Sequence, residues 1–527
     1  MLLGLDVCVA APPDNFDLFT RAPIIGTEDV PLISVAVHEG PAELVIESSQ
    51  SIDVFLGGNL SSKVETKRKR WQISTAVREQ GKLKYWVIAE ILKKNDPLVE
   101  RKDHWKTHGI PLKEFTSGRV IGTEAHQIDT SRITLGLGGY DTEKQALDLA
   151  TKLETVDGIR RQIMSELVKK PTALIRAYDR RKQIQIQDSQ ALWFSPKKGK
   201  VLTVKRKIKK GRKRISRSQR YRGDLYVTVN HKGEPVVVNV LNAEQMLDVV
   251  VPSELYVSAP KEALQAQAIA ARGQLIVKAG LRHHSDPYLY CAKTHCQAYK
   301  DISRERKKTN NQVRATRGQI LIDDTGQSLV DTVYSSTCGG HTEAYHEMWG
   351  GPPKPSLLGV VDNSIGGRNE VESSRLESFI SFPSASYCQD PKRTFRWTKK
   401  ITGKAVTESV NQKKKIGEVT QIEVLHRGVS GRAIKVRYHG ENGTYDLNGS
   451  YLNRQLLDKL RSGLWVVDRQ GGDQTESPDV WIFKGGGYGH GVGLCQHGAI
   501  GAAKVGRSME EILQHYYPKS TLTKIWN

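Results

Sequence analysis

Cysteine is scarce in this sequence, which has six in 527 residues. So few cysteines over such a length exclude a small scaffold stapled by disulfides. Long apolar runs are also missing, because no stretch approaches the roughly 20 residues that a membrane-spanning helix needs. The start, MLLGLDVCVAAPP, is apolar but short, carries Asp6 and has no basic leader, so it gives no clear export signal.

Positive charge is abundant but local. The formal net charge is +22, yet 14 basic residues and no acid fall between positions 197 and 222, and the rest of the chain carries +8. This run predicts a solvated, flexible linker at 195–221. A second interpretation is adhesion to an anionic surface such as the bacterial wall or lipid headgroups. Nucleic acid is an unlikely partner, because the run has few aromatic residues to stack on bases.

The length predicts roughly two to four domains, and the pattern predicts an α+β multi-domain protein. Residues 30–65 alternate like a small β-rich segment. Residues 80–190 read as an α/β module that resembles the glycan-binding modules of septal peptidoglycan, with a generic α/β module as the alternative. Residues 222–527 are predicted to form one mixed α/β catalytic unit, with an inserted lobe at 362–480.

The segment VVPSELYVSAPKEALQAQAIAARGQLIVKAG is the most informative in the chain. Its second part has the helical period, and Glu254 is expected in a turn just before that helix, after an apolar run. A carboxyl group on an apolar shoulder is partly desolvated, which raises its pKa and lets it hold a proton near neutral pH. Most glutamates in turns are merely solvated, so this pattern alone does not make Glu254 catalytic.

A set of sequence blocks adds to this argument. VVPSE and PKEALQAQAIAAR are followed, in order, by YCAKTHCQAY, ATRGQIL, YSSTCGGHTE, MWGG, GGGYGHGVGLCQHGAIGAA and ILQHYYP. This set resembles the stage II sporulation protein D and amidase-enhancer family over about residues 222–527. The resemblance implies a lytic transglycosylase, a lyase of cell-wall peptidoglycan, in which the glutamate of the VPSE block, here Glu254, is catalytic.

One carboxyl group is chemically sufficient for that reaction. An ordinary glycosidase needs a second carboxylate to act as nucleophile or to activate water. In lytic cleavage between N-acetylmuramic acid and N-acetylglucosamine, the C6 hydroxyl of the muramic acid attacks instead. Glu254 would protonate the bridging oxygen and then accept the hydroxyl proton as the 1,6-anhydro ring closes.

A second group of residues has the composition of a metal site. HHSDPYLYCAKTHCQAY contains His284, Cys291, His295 and Cys296, two imidazoles and two thiols that suit tetrahedral zinc. His283 is an alternative to His284, and the resemblance strengthens the zinc prediction because some family members bind zinc there. With four protein ligands the zinc would be structural. A disulfide between Cys291 and Cys296, or reduced core cysteines, are the alternatives.

The other cysteines are Cys8, Cys338, Cys388 and Cys495. Cys338 and Cys388 can pair if the protein is exported, but the sequence does not show that they meet. Cys338 with the nearby His341 is a weak candidate for a nucleophile, because closeness in sequence does not establish a catalytic pair.

The remaining candidates are polar residues expected to line a sugar cleft. The glycine-rich block FKGGGYGHGVGLCQHGA fits neither a dinucleotide-binding nor a P-loop pattern. Dense glycine lets the backbone approach a ligand closely. The predicted substrate-binding residues are Tyr488, His490 and Gln496 in this block, Gln267 and Arg272 on the helix after Glu254, and Ser335, Ser336, Thr337 and Glu343 in YSSTCGGHTE.

The leading hypothesis is therefore a peptidoglycan lytic transglycosylase of the cell envelope or the extracellular space. Its partners would be glycan strands and a cell-wall amidase. The main rival is a non-catalytic glycan-binding protein that stimulates such an amidase, as the family's second name implies. A sporulation role follows only from the resemblance, and the additional N-terminal half and basic run set this chain apart from the plainest family members.

Overall fold

The computed structural model describes residues 17–26, 29–57, 59–64, 67–94, 96–124, 126–157, 159, 161–179, 183–197, 200–210, 213–293, 296–326, 328–367, 369–382, 385–390, 392–471 and 478–527. Over these residues the chain is a mixed α/β protein with several sheets, as the sequence predicted. None of the helices in these ranges is both long and apolar enough to cross a bilayer.

Strands dominate the first half of the chain. In order, the elements are β1 (Ile24–Ile25), β2 (Pro31–Glu39), β3 (Glu43–Glu47), β4 (Ile52–Leu56), β5 (Asn59–Val64), β6 (Arg70–Glu79), β7 (Lys82–Lys93), α1 (Leu98–Lys106), β8 (Leu112–Ser117), β9 (Val120–Thr123), β10 (His126–Asp129), β11 (Arg132–Tyr140), α2 (Glu143–Asp157), β12 (Ile163–Lys169), β13 (Thr172–Tyr178), β14 (Gln185–Asp188), β15 (Leu192–Pro196), β16 (Leu202–Lys210), β17 (Lys213–Tyr221), β18 (Asp224–Val229) and β19 (Pro235–Asn242).

Helices and short strands alternate in the second half. The elements are α3 (Ala243–Glu254), α4 (Lys261–Val277), β20 (Tyr290–Cys291), α5 (Lys307–Ala315), β21 (Gln319–Asp323), β22 (Tyr334–Ser335), α6 (Tyr345–Trp349), α7 (Leu376–Ser381), α8 (Lys392–Phe395), β23 (Arg396–Thr402), α9 (Gly403–Asn411), β24 (Val419–Arg427), β25 (Ala433–Gly440), β26 (Gly443–Asn448), α10 (Ser450–Leu456), β27 (Trp465–Gln470), β28 (Val480–Gly486), β29 (Leu494–Cys495), α11 (Gln496–Lys504), α12 (Met509–Tyr516) and β30 (Ser520–Lys524).

Two large sheets join the N-terminal region to the later chain. One has the order β1-β2-β19-β18-β15-β4-β5, with β20 beside β2, and the other has the order β14-β13-β6-β3-β16-β17. Their inward side chains belong to one core that also contains α3 and α4. The prediction of a separate β-rich segment at 30–65 is therefore wrong, since β2 pairs with β19 and β20 of the predicted catalytic unit.

The basic run is folded and is not a flexible linker. β16 and β17 pair antiparallel, and β16 also pairs with β3. Leu202 and Val204 are buried, while Lys205 on the opposite face forms an ion pair with Glu47 at 2.5 Å. Arg206 turns inward and donates to the carbonyl of Val37 at 2.6 Å. The alternation of apolar and charged residues thus makes a strand even in a strongly basic segment.

The predicted α/β module forms a unit between β7 and β12. Its sheet has the order β12-β7-β11-β8, and α2 packs on it over a separate core that includes Leu135, Leu137 and Ala146. Ala150 and Leu153 of α2 are buried, whereas Leu147 is 55% exposed. Strands β13 and β14, which the prediction also placed in this module, belong instead to the large sheet β14-β13-β6-β3-β16-β17. A glycan-binding role for this unit stays a prediction.

The predicted inserted lobe has a core of its own. Residues from Trp397 to Phe483 form a cluster between the sheets β23-β28-β27 and β24-β25-β26. Two loops on either side of this lobe return to the main body, where Thr337 and Tyr488 form an isolated β-bridge. The lobe therefore emerges beside the YSST segment and the glycine-rich block.

Helix α4 lies at the centre of the helices that follow β19. It is rich in alanine, and 13 of its 17 residues are buried. Small side chains let α3, α5, α11 and α12 pack closely around it. At Gly273 even a Cβ atom would lie 2.3 Å from Thr332 Oγ1, so that position admits no side chain.

Candidate active site

Glu254 is the last residue of α3, not part of a free turn as predicted. The helix starts at Asn242, whose side chain accepts the amide hydrogen of Gln245 at 2.8 Å. The helix ends at Glu254, two residues after Pro252, and Leu255 has an extended backbone. The apolar run that precedes Glu254 is buried, so it fixes the helix and its final carboxyl group against the core. A carboxylate at a helix C-terminus is disfavoured by the helix dipole.

The Glu254 side chain is half-buried and carries no ion pair among the described residues. Burial raises its pKa above the ordinary glutamate value. Hydrogen bonds from the Gln496 side chain and the Ala298 amide, together with the charge of Lys300, act in the opposite direction without cancelling the effect. Such a carboxyl group can hold a proton at a pH where an exposed glutamate is ionised.

Gln496 links Glu254 to the helix behind it. It is the first residue of α11, directly after Cys495 of β29. Its Nε2 donates to Gln267 Oε1 at 3.2 Å, and its side chain also hydrogen-bonds Glu254. Gln267 is fully buried, so it orients Gln496 and does not line a cleft.

His490 supports the loop that faces Glu254. Its Nε2 donates to the carbonyl of Tyr334 at 2.9 Å, and its Nδ1 accepts the amide hydrogen of Val492 at 3.0 Å. Burial, and then the charge of Lys278, lowers the pKa of His490 to about 3. A neutral ring with both nitrogens bonded is not a general acid near neutral pH. His490 instead positions Tyr334, whose phenol lies near Glu254.

Exposed aromatic side chains lie within the glycine-rich block or beside its histidines. Tyr488 is 48% exposed, Trp349 45% and Tyr256 60%. The Trp349 ring lies 5.0 Å from the His490 ring, and the Tyr256 ring lies 5.7 Å from that of His497. Aromatic faces beside polar groups suit contact with sugar rings. The sequence interpretation included Tyr488 but missed Trp349 and Tyr256, which lie in the MWGG and SELY motifs.

Several predicted cleft residues are instead buried. Arg272 is fully buried and forms a bidentate ion pair with Glu244, with both distances 2.8 Å. Glu343 is fully buried and accepts hydrogen bonds from Ser430 Oγ at 2.6 Å and from the Ala344 amide at 2.8 Å. Thr337 has no exposed surface either. These three side chains cannot touch a glycan in this conformation, which corrects their assignment as substrate-binding residues.

The two serines of YSSTCGGHTE also serve the local fold. Ser335 is buried in β22, which pairs in parallel with β29. Ser336 is half-buried, and its carbonyl accepts from the amide and the Nδ1 of His497 at 3.1 and 2.8 Å. These contacts join the YSST and CQHG segments, and therefore hold Gln496 at Glu254.

Two of the four predicted zinc ligands, Cys291 and Cys296, lie together with His283, the predicted alternative to His284. The side chains of His283, Cys291 and Cys296 offer ligand atoms within 4.8 Å of one another, whereas His284 is outside this group. His283 Nε2 lies 3.1 Å from Cys296 Sγ, and the Cys291 and Cys296 sulfurs are 3.5 Å apart. His295, the fourth predicted ligand, lies outside the described residues.

The backbone conformation of His283 explains why this histidine, and not the predicted His284, faces the two cysteines. His283 adopts the left-handed backbone region with φ 55, which turns adjacent imidazoles to different sides. Its Nδ1 donates to Asp286 Oδ2 at 2.8 Å and leaves Nε2 facing the sulfurs, the arrangement in which a carboxylate orients a zinc-binding histidine. His284 is half-buried near Arg21, and this partial burial lowers its pKa to about 4. The donor set fits zinc.

The other cysteine predictions have different outcomes. Cys338 and Cys388 do meet, as free thiols with their sulfurs 3.6 Å apart. His341 is not placed to activate Cys338, because its ring nitrogens lie 2.7 and 2.8 Å from the carbonyls of Thr342 and Asn369. No described contact supports a nucleophilic role for Cys338.

Comparisons with known proteins agree with this architecture. Residues 231–322 match the family described as Stage II sporulation protein, and residues 343–493 match a Domain of unknown function (DUF8618). The first match contains α3, α4 and the His283 group, and the second contains the lobe and most of the glycine-rich block. Glu254 thus lies within a stage II sporulation protein domain.

Named relatives cover about half of this chain. The amidase enhancer of Bacillus subtilis (strain 168) is 29% identical over 291 residues, which is 52% of this chain and 40% of that protein. Stage II sporulation protein D of Bacillus amyloliquefaciens is 26% identical, over 56% of this chain and 76% of the relative. That of Bacillus subtilis (strain 168) is 23% identical, over 57% and 78%. The chain therefore contains a stage II sporulation protein domain and is similar to both stage II sporulation protein D and the amidase enhancer.

Proposed function

We propose that this protein is a lytic transglycosylase that cleaves peptidoglycan glycan strands between N-acetylmuramic acid and N-acetylglucosamine. The observation that carries the proposal is the state of Glu254: half-buried, without an ion pair among the described residues, and with a raised pKa. Exposed Trp349 and Tyr256 lie beside His490 and His497 of the block that also contains Gln496 and exposed Tyr488, and these aromatic rings supply faces for sugar rings. The substrate places the protein at the cell envelope or outside the cell.

The reaction uses one carboxyl group twice. Protonated Glu254 donates its proton to the glycosidic oxygen, and the bond between that oxygen and C1 of the muramic acid breaks. The C6 hydroxyl oxygen of the same sugar bonds to C1, and the Glu254 carboxylate accepts the hydroxyl proton. The products are a 1,6-anhydromuramic end and a free N-acetylglucosamine hydroxyl, and Glu254 is protonated again. No water is consumed and no second carboxylate is needed.

The surrounding residues hold this group in place. Gln496 and the Ala298 amide hydrogen-bond the carboxylate form, which must last only until the hydroxyl proton arrives. Gln267 fixes the amide of Gln496 from the buried side. Zinc held by His283, Cys291 and Cys296 would crosslink β20 to the loop beyond it, a structural task.

Substitution of Glu254 by Gln tests the enzyme proposal. The full-length protein is incubated with intact and with peptide-stripped glycan strands, and released ends are identified by mass. We expect wild type to form 1,6-anhydro ends and Glu254→Gln to lose roughly 10³-fold in rate, because an amide cannot transfer the proton. Glu408→Gln, at an exposed position of α9, is the matched control and should keep full activity. Equal activity of Glu254→Gln and wild type would overturn the proposal.

A second candidate is a glycan-binding protein that stimulates an amidase. One relative is named amidase enhancer, and the exposed aromatic residues serve binding as well as cleavage. Under this alternative, Glu254→Gln stimulates a purified cell-wall amidase as well as wild type does, and neither protein forms anhydro ends. Trp349→Ala would then weaken both glycan binding and stimulation.

A further inference from the structure

Four buried side chains meet at a second place, apart from the His283 group. Cys338, Asp362, Cys388 and Cys495 offer ligand atoms that all lie within 4.8 Å of one another. Each of the four residues has 0% exposure. They come from four separate segments: the loop after β22, the segment after α6, the segment after α7, and the end of β29.

The sulfur spacing matches a shared metal ion. The sulfurs of Cys338 and Cys388 are 3.6 Å apart. Two zinc–sulfur bonds of about 2.3 Å at a tetrahedral angle place sulfurs about 3.8 Å apart, whereas a disulfide requires about 2.05 Å. Three thiols and one carboxylate form a complete tetrahedral set for zinc, and soft thiolate ligands favour zinc over magnesium or calcium.

Neighbouring groups orient these ligands. The Cys495 sulfur accepts the amide hydrogens of Cys338 at 3.1 Å and Gly498 at 3.3 Å, contacts that stabilise a thiolate. Asp362 accepts from the Tyr516 hydroxyl at 2.5 Å through Oδ1 and from the Cys388 amide at 3.1 Å through Oδ2. Ligating carboxylates in metal sites are hydrogen-bonded in this way. A Cβ atom at Gly498 would lie 2.6 Å from Asp362 Oδ1, so glycine lets α11 approach the group.

The local charge also fits a bound cation with anionic ligands. Zinc with three thiolates and one carboxylate carries a net charge of about −2. Arg432, fully buried, interacts electrostatically with Glu343 and with all three cysteines, and Arg396 interacts with Cys338 and Cys388. Arg396 donates to backbone carbonyls, and Arg432 donates to carbonyls and to Ser430; within the described ranges neither forms a direct ion pair with a carboxylate. Two positive charges therefore lie beside the proposed anionic ligands.

We propose that Cys338, Asp362, Cys388 and Cys495 bind one structural Zn²⁺, separate from the ion expected at His283, Cys291 and Cys296. The ion crosslinks the YSSTCGG loop, the segment that enters the lobe and the N-terminus of α11. It thereby holds Gln496, next to Cys495, against Glu254. The proposal does not depend on the lytic activity, because metal content is measured without substrate.

Metal analysis of the full-length protein with paired variants tests the site. Zinc per chain is measured for wild type, Cys388→Ser and Cys296→Ser, purified without chelators. We expect Cys388→Ser to lose one equivalent relative to wild type and to keep the zinc that Cys296→Ser loses. Zinc content that is unchanged in Cys388→Ser would overturn the proposal. So would a Cys338–Cys388 disulfide in the peptide map of the unreduced native protein.

A second measurement covers the case in which Cys388→Ser does not fold. The Cys296→Ser protein, which keeps all four proposed ligands, is reconstituted with Co²⁺ and its absorption spectrum is recorded. Thiolate-to-cobalt charge-transfer bands and intense visible bands of tetrahedral cobalt are expected. A spectrum without thiolate bands would contradict the assignment, and Asp362→Asn should shift the visible bands because one ligand changes.

Discussion

The two ends of α3 place the same residue type in opposite electrostatic states. Glu244, in the first turn, is buried with Arg272 and accepts hydrogen bonds from the Gly318 amide at 3.1 Å and Trp526 Nε1 at 2.9 Å. Burial alone would raise its pKa, but the charge of Arg272 and these donors lower it below the ordinary value. Glu254, in the last turn, is half-buried without a cation in contact, and its pKa is raised.

The difference shows that burial does not decide the role of a carboxyl group. A buried carboxylate with a bidentate arginine is permanently ionised and joins two helices. A partly buried carboxyl group with only neutral hydrogen-bond donors can exchange a proton. The helix dipole acts in the same sense, because it favours the ionised form at the first turn and disfavours it at the last. One helix thus has a structural glutamate at one end and the proposed catalytic glutamate at the other.

The largest expected effect is the loss of the structural pair. Arg272→Met leaves the Glu244 carboxylate buried without its cation, and we expect a loss of about 3–5 kcal/mol in the free energy of unfolding. Urea denaturation of the full-length protein measures it. Arg314→Met, on the exposed side of α5, is the control and should change stability by less than about 0.5 kcal/mol. If Arg272→Met changed the free energy of unfolding as little as Arg314→Met does, the ion pair would not support the fold.

The contributions of Glu244 and Glu254 to the free energy of unfolding should change with pH in opposite directions. Glu244, with a lowered pKa, contributes stability that is present above the ordinary glutamate value of 4.5 and is lost as the pH falls through its folded-state pKa. Glu254, with a raised pKa, contributes stability that is present below 4.5 and is lost as the pH rises through its folded-state pKa.

Unfolding free energies of wild type, Glu244→Gln and Glu254→Gln between about pH 2 and pH 8 measure this difference, because the Glu244 change lies below pH 4.5 and the Glu254 change above it. Relative to Glu244→Gln, wild type should gain stability as the pH rises; relative to Glu254→Gln, it should lose stability. Curves with the same slope would show that Glu254 is ionised over the whole range, and the proposed acid would be lost.

Local patterns allowed much of the fold to be predicted. The strands β7 and β11, the helix α2 and the β18–β19 hairpin each have the short-range periodicity of their element in the sequence. Ser508 and Glu511 likewise have the three-residue spacing of a capping box, and the structure forms one there. Such features depend on residues only a few positions apart, so they can be recognised from the sequence alone.

Pairing between distant segments could not be predicted in this way. The basic run looked like a linker because its charge hid the alternation of Leu202 and Val204, and its partner strand β3 lies about 160 residues earlier in the chain. The 30–65 strands likewise gained their partners from β15 and β19. A strand pattern shows which face is apolar but does not show which strand lies beside it.

The same limit explains the outcome for the site. Glu254 could be singled out because its motif is local, whereas the role of Arg272 depends on Glu244, which lies 28 residues away. Likewise, the choice between His283 and His284 depended on one backbone torsion that the sequence does not show. Cys338, Cys388 and Cys495 were each noted, but their meeting with Asp362 required the fold.

The smallest predicted effect concerns the hydrogen bond that tunes Glu254. Gln496 donates to the carboxylate form and therefore lowers the pKa that burial has raised. Gln496→Leu removes that donor, so the pKa of Glu254 should rise further. Because the acid form starts the reaction, the alkaline limb of the kcat profile should move to higher pH.

Gln267→Leu is the matched control for this last experiment, since it removes the partner of Gln496 but no contact with Glu254. Its alkaline limb should move less than that of Gln496→Leu, while both variants bind glycan as wild type does. A fall in kcat for Gln496→Leu with an unmoved alkaline limb would mean that Gln496 supports the packing of α11 and does not act on the proton of Glu254. Because the alkaline limb of the kcat profile comes from the titration of Glu254 alone, Glu254→Gln should show no alkaline limb.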